Sequence, residues 1–120
     1  MEIKRDFYLN ELIDRMDNGL IKIVTGIRRC GKSYLLDPIF KNYLLEQGIE
    51  ANHIIKLSLD ERANSKYLDP DVLDQYVRSL IVDDKKYYLL LDEVQNLGAF
   101  ESVLNGFLRK RNLDVYVTGS

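Results

Sequence analysis

The densest chemistry in the chain lies in eight residues, Gly26-Ile27-Arg28-Arg29-Cys30-Gly31-Lys32-Ser33. They fit G-x-x-x-x-G-K-[ST], a loop whose backbone amides cradle phosphate groups. Gly26 and Gly31 permit backbone angles and a close approach that a Cβ would forbid. The amides of Ile27, Arg28, Arg29 and Cys30 can then turn inward as a nest for anionic oxygens. A helix starting near Gly31 adds free N–H groups and roughly half a positive charge at its N-terminus. Lys32 is predicted to reach the β and γ phosphates of a nucleoside triphosphate, and the Ser33 hydroxyl to ligate Mg²⁺. Chance supplies such a match in roughly one chain of this length per few hundred. The flanks lower that further, with an apolar, β-branched run before the loop and a helix-period run after it.

A second stretch with chemical content is Tyr87-Tyr88-Leu89-Leu90-Leu91-Asp92-Glu93, an apolar run that ends abruptly in two carboxylates. It predicts a central parallel strand with its acids at the carboxyl end, the edge where open α/β sheets bind ligands. Asp92 is placed there to hold Mg²⁺, mostly through water. Glu93 is placed to orient, or take a proton from, the water that attacks a γ-phosphate. In isolation a surface Asp-Glu pair would be the simpler account. The phosphate loop upstream outweighs it. Kinases that transfer to a bound hydroxyl need no water-activating acid here, so Glu93 favours hydrolysis.

These residues need a scaffold, and the hydrophobic pattern supplies one. Residues 6–18 predict a helix capped by Asp6, with Leu9, Leu12, Ile13 and Met16 on one face and Asn18-Gly19 as its end. Tyr8 and Leu9 either pack this helix on the sheet or lie beside an adenine ring. Residues 20–25 predict a buried strand entering the phosphate loop. The helix after the loop is expected to run to about Gln47, with Gly48 just beyond it. Pro38 interrupts that helix, and should kink it or restart it with Asp37 as cap. Tyr34 is counted with the nucleotide-binding set, with packing as its competing role.

Residues 53–59 predict a second strand, followed at its carboxyl end by Asp60-Glu61-Arg62, a solvated loop. His53 has no Cys or His nearby to share a metal. Asp69-Pro70 starts a helix with cap and first-turn proline, burying Leu73, Tyr76, Val77, Leu80 and Ile81. Asp83-Asp84-Lys85-Lys86 is a polar turn. Gln95-Asn96-Leu97-Gly98 leads into a helix with Phe100, Val103, Leu104, Phe107 and Leu108 inward. Arg109, Lys110 and Arg111 suit the negative end of its dipole. Residues 115–118 form a last strand that delivers Thr118 and Ser120 to the edge occupied by Asp92. The alternation of strands and helices predicts an α/β fold with a parallel sheet.

Composition narrows the class. At 120 residues with a net charge of −2, the chain reads as one domain, 1–120, with no dedicated nucleic-acid surface. It shows no apolar run that would span a membrane and no secretory h-region. A single cysteine excludes an internal disulfide and fits the cytoplasm. That cysteine, Cys30, either gains thiolate character from the phosphate nest or is a small residue that fits the loop.

Gly-Ile-Arg-Arg-Cys-Gly-Lys-Ser, Leu-Leu-Leu-Asp-Glu-Val-Gln and Val-Tyr-Val-Thr-Gly-Ser, in this order and spacing, resemble prokaryotic AAA-superfamily P-loop ATPases. Specifically, they resemble the group whose ATPase core is followed by a C-terminal nuclease-like domain of uncharacterised role. The resemblance covers essentially the whole chain. It implies ATP or ADP and Mg²⁺, with residues 26–33 as Walker A and Asp92-Glu93 as the end of Walker B. It also implies a three-layer αβα sandwich, an incomplete AAA-type core, with the 115–118 strand inserted between the Walker A and Walker B strands. Thr118 or Ser120 would then serve as sensor 1.

Members of that group run on into a lid, a further sensor, an arginine finger and the extra domain, so an N-terminal fragment is expected. A strand that would flank the Walker A strand is missing from it. The exposed sheet edge is then expected to favour self-association or a homo-oligomer. Arg28 and Arg29 serve either as a phosphate clamp or as loop-tip residues for solubility or an intersubunit contact. Two functions remain open, an ATP hydrolase core of low activity and a non-catalytic nucleotide-binding switch.

Overall fold

Runs of apolar residues become four parallel strands: β1 (Lys22–Val24), β2 (Ile54–Ser58), β3 (Tyr87–Asp92) and β4 (Leu113–Thr118). The computed structural model describes residues 2–25 and 30–119, and only the backbone of residues 2–6, Cys30 and Gly31. Gly26, Ile27, Arg28, Arg29 and Ser120, all expected at the site, therefore lie outside the described residues, as do the side chains of Cys30 and Gly31.

The strand order is β1-β4-β3-β2. The strand ending in Thr118 is thus inserted between the strand entering the phosphate loop and the strand ending in Asp92. Lys22 lies opposite Tyr116, Leu91 opposite Val117, and Ser58 opposite Asp92. Every residue of β3 and β4 is buried, as befits strands covered on both faces.

Side chains alternate between the two faces with period two. Tyr87, Leu89, Leu91, Val115 and Val117 meet Leu73 and Val77 of α4 (Pro70–Leu80) and Leu104 and Phe107 of α5 (Phe100–Leu108). On the other face, Tyr88, Leu90 and Tyr116 meet Leu12 of α1 (Glu2–Asp14). Leu35, Leu36 and Phe40, which follow α2 (Cys30–Tyr34), and Leu44 of α3 (Lys41–Glu46) complete that layer. Helix, sheet and helix make the α/β three-layer sandwich.

Local chemistry sets the boundaries. Asp69 caps α4 by accepting from the Asp71 and Val72 amides, ahead of Pro70. The helix after the phosphate loop breaks where Asp37, next to Pro38, takes extended angles (φ −145°, ψ 115°), and resumes to Glu46 before Gly48 (φ 92°). Three expectations need correction. First, α1 starts at Glu2, so Asp6 lies inside the helix and does not cap it. Second, α1 ends at Asp14, because tight bonds from Arg15 to Leu12 and Met16 to Ile13 close its last turn before Asp17 (φ 58°). Third, β1 is not buried throughout. Among the described residues it is an edge, with Lys22 and Val24 inward and Ile23 62% exposed.

Candidate active site

Three strand ends and one helix start converge at the carboxyl edge of the sheet. Asp92 is the last residue of β3, and burial of its carboxylate requires partners. Two hydroxyls donate to it, Ser33 Oγ from α2 and Thr118 Oγ1 from the end of β4. The Asp92 carbonyl accepts from Leu59 N at 2.9 Å. A carboxylate and a serine oxygen thus meet at one point. Together they could hold a hard divalent cation that keeps its remaining positions for water and phosphate.

Glu93 follows in a left-handed conformation (φ 59°, ψ 52°), which turns the chain sharply off the strand. Its amide donates to Thr118 Oγ1 at 2.9 Å, and its Oε1 accepts from Gln95 Nε2 at 2.7 Å. The Thr118 hydroxyl therefore gives its proton to Asp92 and accepts from the next residue's amide. Its single donor is committed. Lys32 Nζ is buried and donates to Gly119 O at 2.8 Å, immediately past Thr118.

Of the residues expected at the site, Lys32, Ser33, Asp92, Glu93 and Thr118 lie together in one hydrogen-bonded cluster with Gly119. Tyr34 is 42% exposed, because Leu35 and Leu36 take the inward positions of that turn. Tyr8 and Leu9 pack on the α1 side of the core. Tyr8, Phe7, Leu12, Val24, Thr25 and Leu35 also line a cleft of about 440 Å³ between α1 and β1. His53 is buried against the Tyr87 ring, with centroids 4.4 Å apart.

Sequence reasoning missed Gln95 as a partner of Glu93, and it missed a polar cluster at the opposite edge of the sheet. There Lys22 Nζ pairs with Asp114 Oδ1, both buried. Asp114 Oδ2 also accepts from Asp17 N at 2.9 Å and from the Tyr116 hydroxyl. Burial, the hydrogen bond to Asp114 and its charge push the Tyr116 phenol far above its usual range. Burial first, then the charges of Asp17 and Asp114 and the neighbouring Tyr43, push Tyr88 up to about 12. A lysine and an aspartate inside otherwise apolar strands were the available signal, because buried charges need partners.

This fold and edge match a P-loop-type α/β core with a parallel sheet. Residues 18–120 match the family model described as an AAA domain, and the chain belongs to that family. It is 32% identical over 119 residues to an uncharacterized protein of Haemophilus influenzae, covering 98% of this chain and 30% of that protein. An uncharacterized protein of Methanocaldococcus jannaschii is 29% identical over 117 residues, covering 93% of this chain and 24% of that protein. The chain thus spans less than a third of the length of these relatives. A solved structure of C. elegans PCH-2 superposes with a TM-score of 0.55 at 20% identity, over 97% of this chain and 33% of that one. Family membership points to nucleotide binding and ATPase activity. Among the described residues, no helix is long and apolar enough to cross a membrane.

Proposed function

We propose that the chain binds ATP or ADP through residues 26–33 and hydrolyses ATP to ADP and phosphate. The observation that carries this reading is the convergence of Lys32, Ser33, Asp92, Glu93 and Thr118 at one sheet edge. Lys32 exchanges the Gly119 carbonyl for phosphate oxygens. Ser33 and Asp92 would hold Mg²⁺, which supplies charge neutralisation of the phosphates when bound. The nucleophilic water forms a bond to the γ-phosphorus and gives its proton to Glu93. The bond from that phosphorus to the bridging oxygen breaks, and ADP leaves with the electron pair.

Thr118 holds Asp92 and the Glu93 backbone in place. With its donor committed, the contact to the γ-phosphate expected of sensor 1 falls to Ser120. The cleft beside Tyr8, next to both ends of the phosphate loop, takes the adenine. Among the described residues β1 is an edge strand, with Ile23 exposed on it and Leu20 exposed just before it, which supports self-association of this chain.

Calorimetry with Mg-ATP tests binding, where Lys32→Ala should lose affinity by an order of magnitude or more. Equal affinity in both proteins would remove the site. Phosphate release tests turnover, and the rate should fall in Glu93→Gln. Binding without any release that depends on Glu93 would instead leave a non-catalytic nucleotide-binding module.

A further inference from the structure

The reactive edge holds a polar side chain for which the proposed chemistry has no use. Gln95 lies two residues past Glu93, on the 3₁₀ turn Val94–Asn96, and its amide donates to the Glu93 carboxylate at 2.7 Å. The Glu93 main chain is already fixed. Its N–H is bound to Thr118, its carbonyl accepts from Asn96 N at 3.1 Å, and its angles are left-handed. What remains to be set is the direction of the side chain, and the solvent-exposed hydrogen bond from Gln95 is made to that side chain.

Gln95 is backed in turn by Gly119. A Cβ at Gly119 would stand 3.4 Å from Gln95 Oε1 and 3.6 Å from Val94 Cγ1. Both are ordinary contact distances, so the amide lies against the segment whose carbonyl receives Lys32. The amide therefore sits between the carboxylate and the end of β4. A neutral donor suits this place, since it orients a carboxylate without drawing away its charge as a lysine would.

We propose that Gln95 is a positioning residue for the Glu93 carboxylate, a role that rests on the hydrolase reading above. By engaging one carboxylate oxygen it fixes the direction in which the other meets the attacking water. A misplacement of about 1 Å in such a group costs on the order of 10²-fold in rate.

The test compares Gln95→Leu, similar in size without a donor, with Gln95→Asn, a donor one methylene short. Single-turnover phosphate release and Mg-ATP affinity are measured for each, alone and combined with Glu93→Gln. Gln95→Leu should slow release by about 10- to 100-fold at unchanged affinity, with Gln95→Asn between it and wild type. On the Glu93→Gln background, Gln95→Leu should add nothing. A wild-type rate in Gln95→Leu, or a full additional loss on that background, overturns the proposal and leaves the hydrolase reading standing. Wild-type release no faster than Glu93→Gln refutes the hydrolase reading instead. The Glu93 carboxyl ¹³C resonance then decides on Gln95: a shift in Gln95→Leu upholds the contact, and an unmoved resonance overturns it.

Discussion

Lys22→Met should destabilise the fold far more than the loss of a surface lysine. Lys22 and Asp114 are each only 4% exposed, and the ammonium also donates to Asn18 Oδ1 at 3.2 Å and lies 4.8 Å from the Tyr116 ring centroid. Methionine keeps most of the packing and removes the charge. Asp114 is then left as a buried carboxylate with the Asp17 amide and the Tyr116 hydroxyl as its donors. Breaking a buried pair by removing one partner costs about 3–5 kcal/mol. The two surviving donors put the expected loss near the lower end, about 3 kcal/mol. For a domain of this size that is a fall of about 10–15 °C in Tm.

The assay is urea denaturation followed by far-UV circular dichroism, on Lys22→Met and on Lys22→Met combined with Asp114→Asn. The asparagine keeps an acceptor for both donors and removes the stranded charge, so the double variant should recover more than half of the loss. A loss under about 1 kcal/mol, the level of a surface pair, would refute the account. So would a double variant as unstable as the single one.

Asp92→Asn should weaken the Mg²⁺ dependence of nucleotide binding by at least several-fold while leaving metal-free binding nearly intact. Calorimetry with and without Mg²⁺ reads this, and identical responses in both proteins would displace Asp92 from the metal. Tyr88 and Tyr116 stay protonated in the folded chain while the unfolded chain ionises near the ordinary phenol value of 10.0. Their contribution is thus fully present below about pH 10; that of Tyr88 is lost as pH rises through about 12, and that of Tyr116 goes on falling above it. Urea midpoints that stay level from about pH 9 to about pH 11 would count against it. Ile23→Lys places a charge on the open edge of β1 and should lower self-association, read by sedimentation velocity across a concentration series. An unchanged distribution would exclude that edge as the contact.

The strands that mattered most were legible because burial on both faces writes them as unbroken apolar runs. Tyr87–Leu91 and Val115–Val117 could be read in this way, and the carboxylates after the first run marked its carboxyl end. Asp69-Pro70 was legible because cap and first-turn proline are local chemistry. The start of α1 was not. Its residues 2–5 carry no apolar stripe, and helix continues there by propagation from a stable turn. The place of β4 in the sheet came from family resemblance and not from local pattern. Strand order is a property of long-range pairing. Lys22 with Asp114, and Glu93 with Gln95, escaped for different reasons. One pair is far apart in sequence, and the other depends on a left-handed residue that no local signal announces.

Strand β4 joins the two polar clusters. It carries Asp114 at one end and Thr118 at the other, with Val115, Tyr116 and Val117 buried between them. Among the described residues its sheet neighbours are β1 and β3, so the strand that precedes the phosphate loop and the strand that ends in Asp92 are registered to each other through β4. On the β3 side that register is long, running from Tyr87 opposite Leu113 to Leu91 opposite Val117. On the β1 side it is three residues, Lys22 to Val24. So short a ladder on an open edge has few backbone bonds to hold it, and a buried ion pair at Lys22 is where side-chain chemistry adds to them. The ion pair that fixes β1 thus lies at the end of that strand away from the chemistry. Loosening it should let β1 shift against β4, and move Lys32 and Ser33 relative to Asp92 in chains that are still folded.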